Sequence, residues 1–198
     1  MQATLVHDQP SKTFNLNVTR LAIPVWVGGV SSIWNTSDAN WANLAGNFGN
    51  NYANGDPVMF DDYADTNRFN VQLPGTVSPG AYVTFNNSAQ NYTLSGAGKI
   101  SGTTRLVKQG TGSVTLNTTA NDFTGGVRIE GGSVIIPSLS NGGAASPIGA
   151  ASAAPENLLL AGGILSYSGA TAATNRGFTI AAAGGGIGVQ TAATNLTL

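Results

Sequence analysis

Residues 106–136 read LVKQGTGSVTLNTTANDFTGGVRIEGGSVII, and their rhythm decides the fold. Short apolar runs, in which aliphatic residues alternate with small polar ones, are separated by GTGS, TANDFTGG and EGG. A period of two puts every second side chain on the same face of a strand. Gly, Asn and Thr between the runs supply positive φ and tight reversals. Outward from this stretch the rhythm continues in FNVQL, AYVTF and YTL on one side and in NLLL, GILSY, FTI, GIGV and NLTL on the other. From Leu116 onward the strand centres fall near Ile129, Ile135, Leu159, Leu165, Ile180, Val189 and Leu196, with uneven gaps, and such recurrence points to repetition.

Short recurring strands suit either an antiparallel sandwich or barrel, or a solenoid in which each coil stacks on the last. A sandwich calls for longer strands with clean polar outer faces. Here, from about Ser95 on, the strands shrink to three or four residues and Gly stands where a chain must bend within one coil. Composition agrees with the solenoid. Charged residues make up 9% of the 198 residues, against roughly 25% in an ordinary globular protein, and 27 Gly with many Asn, Thr, Ser and Ala take their place. Like charges stacked about 4.8 Å apart along a coil column repel, whereas Asn, Thr and Ser stack and hydrogen-bond. The expected fold is all-β, a right-handed parallel β-solenoid (β-helix).

The same composition excludes several functions. With 8 Lys plus Arg against 9 Asp plus Glu there is no basic stripe for nucleic acid and no cationic cluster for anionic lipid. Zero Cys removes disulfides, thiolate metal sites and a cysteine nucleophile. The single His, His7, lies in a polar HDQP segment near the terminus, the setting of a solvated side chain rather than of a triad base. No apolar run approaches the ~18 residues of a membrane-spanning helix, and no basic stretch leads into an apolar one, so no membrane insertion and no signal peptide are read.

The central stretch resembles the autotransporter-associated β-strand repeat (the passenger-associated transport repeat, PATR). The resemblance rests on Leu106, Lys108, Gly110, Gly112, Val114, Leu116, Asn121, Phe123, Thr124, Gly125, Gly126, Ile129, Gly132 and Val134. The upstream block WNTSDANWANLAGNFGNNYANGDPVMFDD resembles the segment that often precedes such repeats in long bacterial extracellular proteins. After Val134 the pattern is interrupted by the Pro- and Ala-rich NGGAASPIGAASAAPENLLL, and it stops mid-pattern at NLTL, as a portion of a longer solenoid would. Read physically, Gly110 and Gly112 turn the backbone between coils, Val114 and Leu116 point inward with Thr115 outward, Gly125 and Gly126 relieve the next corner, and Phe123 plugs the core. Asn121 is placed to ladder with an Asn of a neighbouring coil. The resemblance implies a secreted or cell-surface protein.

Residues 1–24 read differently: HDQPSK is a turn and TFNLNV a closing strand, resembling the last hairpin of a bacterial immunoglobulin-like domain. Either this is the end of an upstream domain with LAIP as linker, or the strands cap the solenoid. Residues 25–198 form the solenoid module, with an aromatic-rich part at 25–95 and a repeat part at 96–198.

Chemistry must then come from aromatics and carboxylates. Trp26, Trp34 and Trp41 cluster with Phe48, Tyr52 and Tyr63 in a Gly/Asn-rich setting. Exposed, such rings stack on sugar faces while neighbouring Asn, Asp and Gln read hydroxyls; buried, they close the open end of the solenoid. The carbohydrate candidates are Trp26, Trp34, Trp41, Tyr52 and Tyr63. NGDPVMFDDYAD carries Asp56, Asp61, Asp62 and Asp65, either a weak Ca²⁺ site without the usual loop spacing or a solvated acidic turn. No other cofactor is implied. Few acids in the repeat part argue against an enzyme, although β-helix glycosidases and lyases exist. Two functions follow. One is an accessory module of a multidomain secreted protein that binds polysaccharide or a cell-surface glycan beside neighbouring domains of the same chain. The other is a structural or adhesive stalk of an autotransporter-type passenger. Exposure of Trp34, Trp41 and Tyr63 on one face decides between them.

Overall fold

The computed structural model describes residues 2–8, 13–20, 23–43, 49–65 and 67–198, the first two segments by their backbone alone. Among them there is no α-helix and one 3-10 turn, Pro155–Asn157. Strands Gln2–Asp8 and Thr13–Arg20 pair antiparallel in a sheet of their own, with His7 opposite Phe14 in the register. His7 and Asp8 therefore belong to a strand rather than to the expected turn, because the ladder runs on to Asp8 opposite Thr13; the rest of that turn, residues 9–12, lies outside the described residues.

From residue 25 onward the chain stacks as the parallel β-solenoid that the sequence rhythm calls for. One sheet is built from parallel strands Val25–Trp26, Val58–Asp61, Tyr82–Asn86, Arg105–Gln109, Val127–Ile129, Leu158–Leu160 and Thr179–Ile180, with Trp41–Ala42 added antiparallel beyond the first. The facing sheet stacks Asn70–Gln72, Tyr92–Ser95, Ser113–Leu116, Ser133–Ile136, Ile164–Tyr167 and Gly186–Val189. Two short parallel pairs, Thr76–Val77 with Lys99–Ile100 and Ala172–Ala173 with Leu196–Thr197, lie apart from these sheets.

Register converts the alternation into columns. In the second sheet Tyr92, Val114, Val134, Leu165 and Ile187 are successive partners facing inward, and Val71, Leu94 and Leu116 begin the parallel column. Val114 and Leu116 are fully buried and Thr115 is not, as expected. A one-residue slip would turn every one of these side chains to solvent, so the apolar pattern itself holds the register. In the first sheet one inward column runs Phe60, Phe85, Lys108, Ile129, Leu160, Ile180. Lys108 thus occupies a core rung and is completely buried. Its stem packs as an aliphatic chain while its ammonium donates to the carbonyls of Gln109, Gly110 (3.2 Å) and, at 3.4 Å, Asn87. Those carbonyls sit at the corner where the coil turns and have lost their ladder partners, so the lysine of the motif satisfies the bend.

The corners follow the motif. Gly110 adopts φ +70°, and a Cβ there would lie 2.4 Å from the Asn87 carbonyl oxygen, so only glycine fits. Phe123 is buried as the expected plug. Asn121 differs from expectation. Instead of laddering with another Asn, its Oδ1 accepts from the Ile100 N–H (2.9 Å) and its Nδ2 donates to the Thr118 and Pro147 carbonyls (2.9 Å each). A buried amide has two donors and two lone pairs to satisfy, and backbone groups of three successive segments supply partners where a like Asn is not in reach. The interruption between Ile136 and Pro155 is held by Arg176, which is buried and donates to the carbonyls of Ser140 (2.8 Å), Ala144 (3.0 Å) and Gly149 (2.8 Å), among others.

Candidate functional site

The aromatic cluster is assembled by the first coil. Trp26 ends the Val25–Trp26 strand, Trp41 pairs with it across the antiparallel ladder, and Trp34 lies on the connection between them. Their rings meet edge to face, at 5.2 Å between Trp26 and Trp41, 5.6 Å between Trp34 and Trp41, and 5.6 Å between Trp34 and Tyr52. Phe60 joins them to the interior, 5.2 Å from Trp34 and stacked 4.6 Å from Phe85. Trp26, Trp34, Trp41 and Tyr52 are all fully buried. A stacking platform needs ring faces in water, so the expectation of carbohydrate contact fails for these four: they close the N-terminal end of the core, which otherwise ends in the bare ring of Phe60. Tyr63 alone of the five is open, at 86% exposure, and it stands apart from the cap. Phe48 lies outside the described residues.

Hydrogen bonding confirms the caps as structure. The Trp26 indole N–H donates to the Arg68 carbonyl at 2.9 Å, while those of Trp34 and Trp41 meet no acceptor among the described residues. Tyr52 and Tyr92 donate to the Asn54 side chain and the Asp61 carbonyl. Burial pushes both phenols well above their ordinary range, helped by Asp56 for Tyr52 and by Asp61 for Tyr92. Neither is a proton-transfer group near neutral pH.

The four aspartates do not converge. Among the described residues no three of His, Cys, Asp and Glu stand together as metal ligands. Asp56 is buried and accepts from the Ala53 N–H at 2.8 Å. Asp61 accepts from the Tyr63 N–H at 2.9 Å, and burial raises its pKa. Asp62 accepts from three consecutive N–H groups one coil on, those of Ser88, Ala89 and Gln90, at 2.9–3.1 Å. Desolvation pushes its carboxyl up, but these donors and Lys108 outweigh it and hold the group below the usual carboxylate range. Asp65 is hydrogen-bonded or paired within the same segment's surroundings. The carboxylates whose contacts are described serve the turns, which removes the basis for the Ca²⁺ reading.

In the repeat part the acids are likewise engaged. Asp122 pairs with Lys99 at 2.5 Å, and Glu130 with Arg128 and with Gln109 at 2.7 Å; these contacts, led by the Lys99 and Gln109 hydrogen bonds, lower both carboxyl pKa values. Such pairing leaves no carboxyl raised toward neutrality to act as a general acid. Two features escaped sequence reasoning. Lys108 and Arg176 are buried cations held by carbonyls, and nothing local marks them, since both need the stacked coils to supply acceptors. Tyr82 and Arg105 are exposed neighbours on adjacent rungs; aligning YVTF with RLVK as successive coils would have paired them.

Fold and site together define a parallel β-solenoid segment with an aromatic cap at its N-terminal end. Residues 106–136 match the passenger-associated-transport-repeat family, so the chain carries one such repeat at the centre of the stack. The chain is also similar to the adhesin BmaC autotransporter of Brucella suis biovar 1 (strain 1330), with 46% identity over 125 residues, 62% of this chain and 4% of that protein. It therefore spans a small fraction of the length of the curated relative that it matches. No solved structure matches it.

Proposed function

We propose that this chain is a structural and adhesive β-solenoid segment of an autotransporter-type passenger, secreted or displayed at the bacterial surface, and that it is not an enzyme. One observation carries the reading: the passenger repeat at residues 106–136 supplies three consecutive in-register rungs of a single stack, which makes the segment a rigid spacer in which each coil leans on its neighbours. Similarity to a protein named as an adhesin supports the adhesive half. The partners implied are a host or neighbouring cell surface and the rest of a longer chain. The polysaccharide-module reading is the weaker one, because four of its five rings are core.

Adhesion is tested with beads coated with the full chain and washed over cultured mammalian cells. Retention well above albumin-coated beads is expected. Retention equal to albumin would sink the adhesive half and leave a spacer.

A further inference from the structure

The cations of this chain are few, and their fates differ. Lys99 and Arg128 are neutralised by Asp122 and Glu130, while Lys108 and Arg176 are buried on carbonyls. Arg105 is exposed and has no carboxylate partner among the described residues. Its Nε donates to the Gly125 carbonyl at 2.9 Å. That bond fixes the plane of the guanidinium and leaves its two Nη groups directed away from the backbone, free to form the paired N–H···O bonds that a carboxylate accepts.

Three further features shape the surroundings. Tyr82 is the register partner of Arg105 one coil earlier, and its ring is 49% exposed. One coil later the register puts Gly126 in the same column, since Leu106 pairs with Val127, so no side chain stands over the guanidinium. The result is an open groove of about 370 Å³ lined by Ala81, Tyr82, Thr103, Arg105 and Gly125. That volume is at the small end of the roughly 300–1,000 Å³ of ligand sites and accommodates one or two sugar rings.

We propose that this groove binds a carboxylate-bearing sugar unit of an acidic glycan, the carboxylate on the Arg105 Nη groups, the apolar face of the sugar on the Tyr82 ring and a ring hydroxyl on Thr103. A bare anion would use the arginine alone. An aromatic face beside the fork adds a flat apolar contact, which a sugar ring supplies. The inference rests on the surface-exposed passenger reading above and gives that reading a partner class. It uses none of the buried tryptophans.

The test is calorimetric titration of the full chain at low ionic strength with oligogalacturonate and with sialyllactose. Carboxyl-reduced oligogalacturonate and a short poly-glutamate peptide are run beside them. Saturable binding of at least one acidic sugar is expected, with none of the reduced form and weaker binding of the peptide. Arg105→Gln and Tyr82→Ala are each expected to weaken it about tenfold or more, the loss of a charge-assisted pair or of a stacked ring. Both side chains are exposed, so the thermal midpoint should hold. Arg105→Lys keeps the charge and loses the fork, and a clear loss of affinity is expected there too. The proposal is overturned if neither acidic sugar binds, if reduced sugar or poly-glutamate binds as well, or if the variants bind like the parent. Bead retention on cells reports separately: retention unchanged by Arg105→Gln would refute the groove as the adhesive contact while leaving adhesion itself standing.

Discussion

Trp34 is fully buried among Trp41, Tyr52 and Phe60, yet its indole N–H has no acceptor among the described residues. Its contribution is therefore area and shape rather than a hydrogen bond. Trp34→Phe should cost little more than the lost ring volume, whereas Trp34→Ala should lower unfolding free energy by ~3–5 kcal/mol; urea unfolding followed by circular dichroism separates the two, and equal losses would mean that the N–H matters. Lys108 offers a second test at the same scale. Burial lowers its pKa from 10.5 to about 8, against an opposing pull from Asp62. In the unfolded chain the lysine keeps its ordinary value, so between about pH 8 and 10.5 the unfolded state binds more protons and stability rises with pH. Below that window both states carry the charge and its full burial cost persists. Relative to Lys108→Met, the parent should gain stability across the window. At roughly 1.4 kcal/mol per pKa unit the ceiling is about 3 kcal/mol, and the carbonyls that solvate the ammonium pull the gain below it. A flat difference between the two unfolding curves from pH 8 to 10.5 would count against a buried, depressed lysine.

At the scale of single strands and corners, the reading from sequence succeeded where chemistry is local. Alternation placed Val114 and Leu116 inside, Gly110 demanded a left-handed corner, and Phe123 had no other place to go. It failed where a side chain draws its partners from other coils. Asn121 binds Ile100 and Pro147, and Arg176 binds carbonyls some thirty residues upstream; neither pairing has a periodic signature. The aromatic cluster was legible as a cluster, but not as a cap, because one face of a Trp looks the same in sequence whether it meets water or Phe60. Arg176 also makes a prediction about its loop. The segment between Ile136 and Pro155 contains no strand, and Arg176, with Thr174 and Asn175, ties it to the next coil. Arg176→Met removes donors from several carbonyls at once without removing the stem, so residues 141–153 should become cleavable by proteases with small-residue preference, and global stability should fall by ~2–4 kcal/mol. Resistance equal to the parent under limited proteolysis would mean that the loop holds itself. A corner test is Gly132→Ala: φ is +58° and a Cβ would fall 2.0 Å from the Gly112 carbonyl oxygen, backbone that cannot step aside. Soluble yield or midpoint should drop sharply, by more than the ~1 kcal/mol of the left-handed conformation alone.

In the whole molecule the two ends of the stack are unlike. Three tryptophans and a tyrosine seal the first coil, while the last described rungs carry exposed apolar side chains, Ile180 at 53% and Val189 at 41%, and Phe178 beside them. In a stack where each coil contacts only its neighbours, stability is a sum of coil and interface terms, so a coil with one interface opens more easily than a coil with two. Thr179–Ile180 hydrogen-bonds to Leu158–Leu160 on one side and closes its sheet on the other, whereas Arg105–Gln109 is paired on both. Charge contributes little to this gradient, because 9% charged residues leave few pairs for salt to screen. Native-state hydrogen exchange should therefore show protection highest across residues 83–136, intermediate through the sealed first coil, and lowest across 179–189. Adding 1 M NaCl should leave that order unchanged. If instead every rung exchanged at one common free energy, the stack would be a single cooperative unit, and the aromatic cap would be stabilising the whole solenoid rather than its own end.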